Sequence, residues 1–281
     1  MNGKELRSWL TRALIGVADV LEVKAMLQVW LEFRLGWKSS DWILKEEEIL
    51  DDAVITQFQQ DVEQLQTRKP LQYVLGEAWF AGNRYLVNKN VLIPRPETEE
   101  LVEWILTDWP DKGGFRVIDL GTGSGIIPIT LKMARPNWEI FGADISKEAL
   151  TIAHKNATIH ETEISWITLD MLTADLPGDF DLIISNPPYI PQSEASEMTQ
   201  QVVAFEPELA LFVPDNMPLL FYQRIAELSI KQKNLKAVYL ELHKNKALET
   251  SALFEVISSE KTIRNDLNGH PRMLRVNYTR G

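Results

Sequence analysis

The chain has 281 residues, 45% hydrophobic and 25% charged, which is ample for a core of ordinary size without staples. It has no cysteine, so disulfides, thiolate metal sites and a cysteine nucleophile are excluded and a reducing compartment is favoured. Twenty-nine basic against 40 acidic residues give a formal charge of -11, which argues against a broad grip on a nucleic-acid backbone but not against a local one. No long apolar core follows Met1 to Arg7, and no run reaches the roughly 18 apolar residues of a membrane span. The expectation is a soluble cytoplasmic protein.

Residues 1–70 read as helices. Asp19 is an N-cap, Val20, Val23, Leu27, Trp30 and Leu31 recur at helical spacing, and Gly36 ends the run. Ile55, Phe58, Val62 and Leu65 repeat the pattern before Pro70. Five of the nine tryptophans (Trp9, Trp30, Trp37, Trp42 and Trp79) fall in the first 80 residues, either filling a small helical core or lining a docking surface. Residues 71–90 hold a hairpin, with Ala78 to Phe80 and Arg84 to Val87 flanking Gly82-Asn83, and this hairpin is expected to link two domains. A helix follows from about Glu97 to Trp109.

Beyond it, apolar runs alternate with helical patterns. Arg116 to Leu120, Glu139 to Ala143, Ile164 to Leu169 and Asp181 to Ser185 read as buried strands, with helices at Ile126 to Ala134 and Lys147 to Ala157. That order predicts an α/β domain over residues 91–281 with a mostly parallel sheet. Later strands are expected at Ala237 to Leu242, Phe254 to Ser258 and Met273 to Tyr278. The stretch from Asn186 to Asn216 is too long for a plain connection and should hold a short helix or a mobile cover.

In an open α/β sheet, ligands sit beyond the carboxyl ends of the strands. The first strand runs into Gly121-Thr122-Gly123-Ser124-Gly125, where missing side chains allow a tight turn and a close ligand. The spacing is not that of the dinucleotide fingerprint, and there is no phosphate-loop lysine. This suits a nucleoside with an amino-acid tail rather than a pyrophosphate. Asp144, 19 residues after Gly125 at the end of the second strand, can accept from both ribose hydroxyls, because Ser146 takes the helix-cap role. S-adenosylmethionine fits best.

The fourth strand ends in Asn186-Pro187-Pro188-Tyr189. Proline cannot continue a central strand, so the segment leaves the sheet as a stiff loop. An amide or aromatic amino group is a poor nucleophile because its lone pair is delocalised. The Asn186 side-chain oxygen and the Pro187 carbonyl can hold its two N–H bonds, aiming the lone pair at a sulfonium methyl. Tyr189 would pack on the flat face of that group. A structural Pro-Pro turn is the alternative for this tetrapeptide alone. The four histidines show no metal-ligand spacing, and no metal is expected.

Asp119-Leu120-Gly121-Thr122-Gly123-Ser124-Gly125 followed by Asn-Pro-Pro-Tyr resembles a class I S-adenosylmethionine-dependent methyltransferase acting on planar nitrogen. With Pro94-Arg95-Pro96-Glu97-Thr98-Glu99 and Phe205-Glu206-Pro207-Glu208-Leu209-Ala210-Leu211, the whole chain is similar to the HemK/PrmC family. The resemblance implies a Rossmann-like seven-stranded domain after a small all-helical one that recognises the substrate. It implies transfer of methyl to the glutamine amide in the Gly-Gly-Gln loop of peptide-chain release factors, with S-adenosylhomocysteine as product. Gly121 to Gly125 then match the cofactor loop, Asp144 the ribose acid, and Met171 the position flanking adenine. Asn186, Pro187, Pro188 and Tyr189 match the tetrapeptide that holds the glutamine, with Asn186 also beside the cofactor. Arg95 and Glu97 belong to the family string, as substrate contacts or as capping and interdomain ion-pair residues. Two departures, Glu241-Leu242-His243 and Val213-Pro214-Asp215-Asn216, concern loop geometry rather than the reaction.

Two rivals remain at this level. An amino-methyltransferase of DNA adenine or ribosomal guanine predicts a basic surface, yet the chain has 9 basic against 13 acidic residues up to residue 80, and 20 against 27 after. A non-catalytic protein that binds release factor or nucleoside has no reason to hold both motifs. A monomer without a stable hold on nucleic acid or membrane is expected.

Overall fold

The computed structural model describes residues 1–110, 113–254 and 260–278, which divide into two compact units. The first comprises Met1–Glu77 with Thr199–Phe205, and the second Ala78–Met198 with Glu206–Gly281.

The helices of the first unit are α1 (Gly3–Ala13), α2 (Val20–Leu35), α3 (Asp41–Leu44), α4 (Asp52–Gln66) and α5 (Leu71–Leu75). Asn2 and Glu5 form a reciprocal capping box that starts α1. Asp19 caps α2 by accepting from the N–H groups of Leu21 and Glu22, and Gly36 closes it in the left-handed conformation at φ +67°. The apolar stripe is shifted from the expected one, because Val20 lies 86% exposed while Val23, Leu27, Trp30 and Leu31 are buried. Trp30 and Trp37 fill this core with Trp9 and Trp42 packed against it, whereas Trp79 of the second unit is 43% exposed. Asp61 is fully buried and takes four donors, Trp30 Nε1 at 2.7 Å, Arg34 Nε and Nη2 at 2.8 Å each and Gln57 Nε2 at 3.3 Å, which meets the condition for an acid inside a core.

The second unit opens on the hairpin of β1 (Glu77–Phe80) and β2 (Asn83–Leu86), turned by Ala81 and Gly82 rather than by Gly82-Asn83. Then come α6 (Pro96–Asp108), β3 (Arg116–Leu120), α7 (Ile126–Ala134), β4 (Glu139–Asp144), α8 (Lys147–Ile159), β5 (Ser165–Thr168) and β6 (Leu182–Ser185). The long connection is built from β7 (Ile190–Pro191), a 3₁₀ turn over Gln192–Glu197, α9 (Gln200–Phe205), which belongs to the first unit, α10 (Glu208–Leu211) and β8 (Phe212–Val213), with β7 and β8 paired. It is followed by α11 (Leu220–Ile230), β9 (Ala237–Glu241), α12 (Ala247–Ala252), β10 (Glu260–Asn265) and β11 (Pro271–Asn277). The strand expected over Phe254 to Ser258 falls largely outside the described residues. Neither α11 nor β10 is anticipated by the sequence patterns.

The seven-stranded sheet has the order β10-β11-β9-β6-β3-β4-β5, in which β9, β6, β3, β4 and β5 run parallel and β11 is antiparallel to both of its neighbours. Its central strands are apolar on both faces. Val117, Leu182, Ile184 and Tyr239 pack with α6 and α7, while the alternate residues Ile118, Ile183, Val238 and Leu240 pack with α11. Covering both faces explains the nearly continuous apolar runs that identify the strands in the sequence. It also leaves the carboxyl ends of β3, β4 and β6 as the place where loops can meet a ligand.

Candidate active site

β3 sits between β4 and β6, so the chain reverses its direction of winding across the sheet at β3 and opens a crevice there. The loop after β3 is held by its own backbone. The N–H groups of Gly121 and Thr122 both donate to the carbonyl of Ala143 at 2.9 and 3.0 Å, and Gly125 donates to Thr122 at 2.9 Å. Gly123 has φ +54° and a Cβ there would meet no atom within 4 Å, so its backbone faces open space. Gly125 has φ +79°, and its Cβ would come within 2.8 Å of the Trp166 ring, so here glycine serves close packing. The buried Asn156 side chain donates to the Ser124 carbonyl at 2.9 Å and exchanges hydrogen bonds with Leu86, fastening the loop to β2. The Ser185 hydroxyl donates to the Leu120 carbonyl at 2.6 Å, joining the ends of β6 and β3 where both motifs begin.

Asp144 ends β4 with one oxygen accepting from Gly123 N at 2.9 Å and the other from Ser146 N at 2.9 Å. Ser146 is the cap of α8, accepting from Ala149 N, as its sequence position suggests. Burial pushes the Asp144 carboxyl up, and the backbone N–H groups of Ser146, Gly123 and Ile145 oppose the shift. Each oxygen keeps a lone pair for a further donor. Met171 follows β5, with its carbonyl fixed by Arg224 Nε of α11 at 2.9 Å.

Asn186 leaves β6 with Nδ2 donating to the Thr98 hydroxyl at 3.2 Å. Thr98 Oγ1 donates to Glu241 Oε2 at 2.6 Å, and the Tyr189 hydroxyl donates to Glu241 Oε1 at 3.1 Å. Glu241 ends β9 and is 1% exposed. Burial pushes its carboxyl up, opposed by the Thr98 and Tyr189 hydroxyls and by Arg272, while Glu97 adds to the shift. Burial raises the Tyr189 hydroxyl well above its ordinary range and the Glu241 charge adds to it, so Tyr189 stays a donor. Arg95 pairs with buried Glu206 at 2.6 Å, and Glu206 also accepts from Ile93 N at 3.2 Å. Both partners lie in the second unit, so the ion pair is internal to it.

These groups surround one cleft of about 290 Å³. Among the sequence-predicted residues it brings together Gly121, Thr122, Gly123, Ser124, Asp144, Met171, Asn186 and Pro188, and Arg95 and Thr98 join them. Gly125, Pro187 and Tyr189 stand outside this lining, Tyr189 instead meeting the His243 ring edge-on at 6.0 Å. His243, in the first departure, sets its Nε2 3.0 Å from Glu194 Oε2. Asp215 accepts from Ser193 N at 2.8 Å, so this second departure closes a loop of its own.

Sequence reasoning gave no role to Thr98, Glu241, Asn156 or Asp119. A signal existed for the two acids, since each interrupts or ends an otherwise apolar strand, Val117-Ile118-Asp119-Leu120 and Ala237 to Glu241. Asp119 lies beneath the glycine loop, with neither oxygen hydrogen-bonded. Burial pushes its carboxyl up to about 7, the nearby Thr122 hydroxyl opposing this and Asp144 adding to it.

The PrmC N-terminal domain model matches residues 5–76 and the methyltransferase small domain model matches residues 98–208. Over 281 aligned residues the chain is 39% identical to the release factor glutamine methyltransferase of Flavobacterium psychrophilum, which covers 98% of this chain and 99% of that one. The protein of the same name from Enterococcus faecalis is 38% identical over 271 residues and 96% of each chain. Among solved structures the hMettl16 catalytic domain is similar in fold, with a TM-score of 0.55 at 16% identity over 70% of this chain and 76% of that one. A likeness that takes in both the helical region and the cleft-bearing sheet, at such identity and over nearly the full length, is a family likeness: the chain belongs to the release factor glutamine methyltransferases.

Proposed function

We propose that this chain transfers a methyl group from S-adenosylmethionine to the side-chain amide nitrogen of the glutamine in the Gly-Gly-Gln loop of peptide-chain release factors. One observation carries the reading. Asn186 lines the same cleft as the glycine loop and Asp144, and its amide nitrogen is committed to Thr98, which frees its oxygen as an acceptor.

The residues fit a methyl donor of this kind. Gly123 leaves room beside the backbone, Asp144 keeps acceptors for two ribose hydroxyls, and Ile145 (47% exposed) and Met171 offer apolar surface to a flat base. Asp119 and Thr122 hold buried polar atoms that lack partners. When bound, S-adenosylmethionine supplies an electrophilic methyl on a positively charged sulfur and departs as S-adenosylhomocysteine. Asn186 Oδ1 and the Pro187 carbonyl accept the two N–H bonds of the glutamine amide and turn its lone pair toward that methyl. As positive charge grows on the nitrogen, the same two oxygens stabilise it without reorganising. The alkylated nitrogen sheds its proton readily, so the site needs no strong base. Tyr189 serves the site through Glu241, and Pro187 and Pro188 keep the loop stiff.

Residues 1–70 act as the substrate-recognition domain and 71–90 as its link to the catalytic domain of 91–281. The separate core of the helical unit and the N-terminal domain match support this division. The protein acts in the cytoplasm as a monomer with no stable hold on nucleic acid. Supporting the compartment and the lack of a nucleic-acid hold are the absence of cysteine and the charge of -11. No helix among the described residues is long and apolar enough to cross a membrane.

The test is incubation with labelled methyl donor, intact release factor, a free Gly-Gly-Gln peptide, DNA and ribosomal RNA, with mass spectrometry to locate the methyl. Intact release factor should be methylated on that glutamine, the peptide far more slowly. Label on nucleic acid with the glutamine untouched would overturn the reading, as would binding of release factor without transfer.

A further inference from the structure

A side-chain amide is nearly symmetric in shape, and half a turn about its last bond exchanges oxygen for nitrogen. For Asn186 the two orientations are chemically opposite. One offers an acceptor to the substrate N–H, and the other sets donor against donor. The difference has to be decided by what surrounds the side chain.

Thr98 Oγ1 stands between Asn186 Nδ2 at 3.2 Å and Glu241 Oε2 at 2.6 Å. A hydroxyl has one proton. Both Glu241 oxygens receive hydroxyl protons, from Thr98 and from Tyr189, so the Thr98 proton is taken by Glu241 and a Thr98 lone pair is left facing Asn186. Only the N–H side of the amide can use a lone pair. The second Glu241 oxygen is occupied by the Tyr189 hydroxyl at 3.1 Å, and that hydroxyl likewise has its proton committed. All four residues are buried or half-buried, which reduces competition from water.

We propose that Glu241 and Thr98 are positioning residues that fix the polarity of the Asn186 amide, Glu241 setting the direction of the Thr98 hydroxyl and Thr98 in turn holding the amide nitrogen away from the substrate. The inference rests on the proposed role of Asn186 in holding a substrate amide. It accounts for an acid buried at the end of β9 whose two oxygens both receive hydroxyl protons, and for a threonine inside the first turn of α6 whose hydroxyl points to another strand rather than to its own helix.

The experiment is a double-mutant cycle on release-factor methylation at saturating donor. Thr98→Val keeps the shape and removes the hydroxyl, Thr98→Ser keeps the hydroxyl, and Glu241→Gln keeps the volume and removes the fixed acceptor. Thr98→Val and Glu241→Gln should each lower kcat about 10-fold, the scale of one oriented hydrogen bond, with donor affinity changed little. Thr98→Ser should recover most of the loss. In an Asn186→Ala background neither Thr98→Val nor Glu241→Gln should cost anything further, because there is no amide left to orient. The same fold-loss in both backgrounds, or no loss in either, would overturn the inference. Should Thr98→Val fail to fold, Glu241→Gln carries the cycle alone. Wild-type protein that methylates no release factor would refute the proposed function instead. The relay would then still be read by NMR of the Asn186 side-chain NH₂ protons, which should shift toward free-amide values in Thr98→Val and in Glu241→Gln, stay near the wild-type position in Thr98→Ser, and stay put in all three if the relay is absent.

Discussion

The loops after β3 and β6 leave neighbouring strands at the same edge of the sheet, yet they are held in place by different means. The first is a backbone structure. Alternate glycines at positive φ meet its dihedral requirements within five residues, and N–H groups turned onto the Ala143 carbonyl anchor it. The second is a side-chain structure, in which Asn186 is fixed by Thr98, 88 residues earlier, and Tyr189 by Glu241, 52 residues later. Substitutions should therefore break the first loop through space and dihedral angle, and the second through loss of oriented polar atoms.

The largest effect is expected where a side chain enters the backbone loop. Gly123→Val puts a β-branched residue at φ +54°, a strain of about 1–3 kcal/mol, and aims an isopropyl group into the open space beside the loop. Donor binding should disappear by calorimetry while circular dichroism shows a folded protein. Wild-type affinity in that variant would mean that the ligand does not rest on this loop. Next comes the side-chain loop. Asn186→Ala should cost roughly 100–1,000-fold in turnover, the scale for one preorganised acceptor, and change donor affinity by a few-fold at most. Near-normal turnover at saturating donor would show that the amide is held elsewhere.

The same contrast explains what the sequence could reveal. The glycine loop, Asp144 at the end of β4 and the strands on either side are legible because their causes are local: positive φ needs glycine, and a sheet covered on both faces needs unbroken apolar runs. Asn-Pro-Pro-Tyr is legible as a stiff exit from the sheet for the same reason. What orients its asparagine is not legible, because Thr98 and Glu241 reach it only through the fold. The missing α11 is another instance. Its buried residues Tyr222, Ile225, Ala226, Leu228 and Ser229 include small and polar side chains that blur the helical stripe until the sheet they cover is known. The exposed Val20 shows the converse, an apolar residue whose spacing fits a stripe that the packing does not use.

A smaller effect tests how firmly Asp144 is tied to the first loop. Asp144→Asn leaves one carbonyl acceptor where two carboxylate oxygens now receive the N–H groups of Gly123 and Ser146. Hydrogen bonds to charged groups contribute about 1.5–3 kcal/mol, so donor affinity should fall by about 10–100-fold with turnover at saturation nearly kept. A loss of turnover with affinity intact would move Asp144 from ligand holding to the chemistry of the second loop.

The last effect falls on stability rather than on binding or turnover, and sets the two buried acids against each other. Glu241 receives two hydroxyl protons and faces Arg272, whereas the two oxygens of Asp119 have no hydrogen-bond partner. Burial raises Asp119 from 3.8 to about 7, so the folded protein holds this proton where the unfolded chain has lost it. Between those two pH values the native state binds more protons than the unfolded state, and stability must fall as pH rises. Below about 4 the group is neutral in both states and costs nothing, and above about 7 the cost of the buried charge is fully present. Asp119→Asn removes the charge and keeps the shape. It should match the wild-type protein near pH 4 and exceed it by up to about 4 kcal/mol at pH 8, as read from denaturant melts of the ligand-free protein at both values. Taking the difference between the two proteins cancels every titrating group that does not interact with Asp119, so the gap that opens with pH belongs to Asp119 and its repulsion by Asp144. Parallel stability curves across this range would mean that the carboxylate finds compensation in the folded state, and that the two loops rest on equally satisfied acids after all.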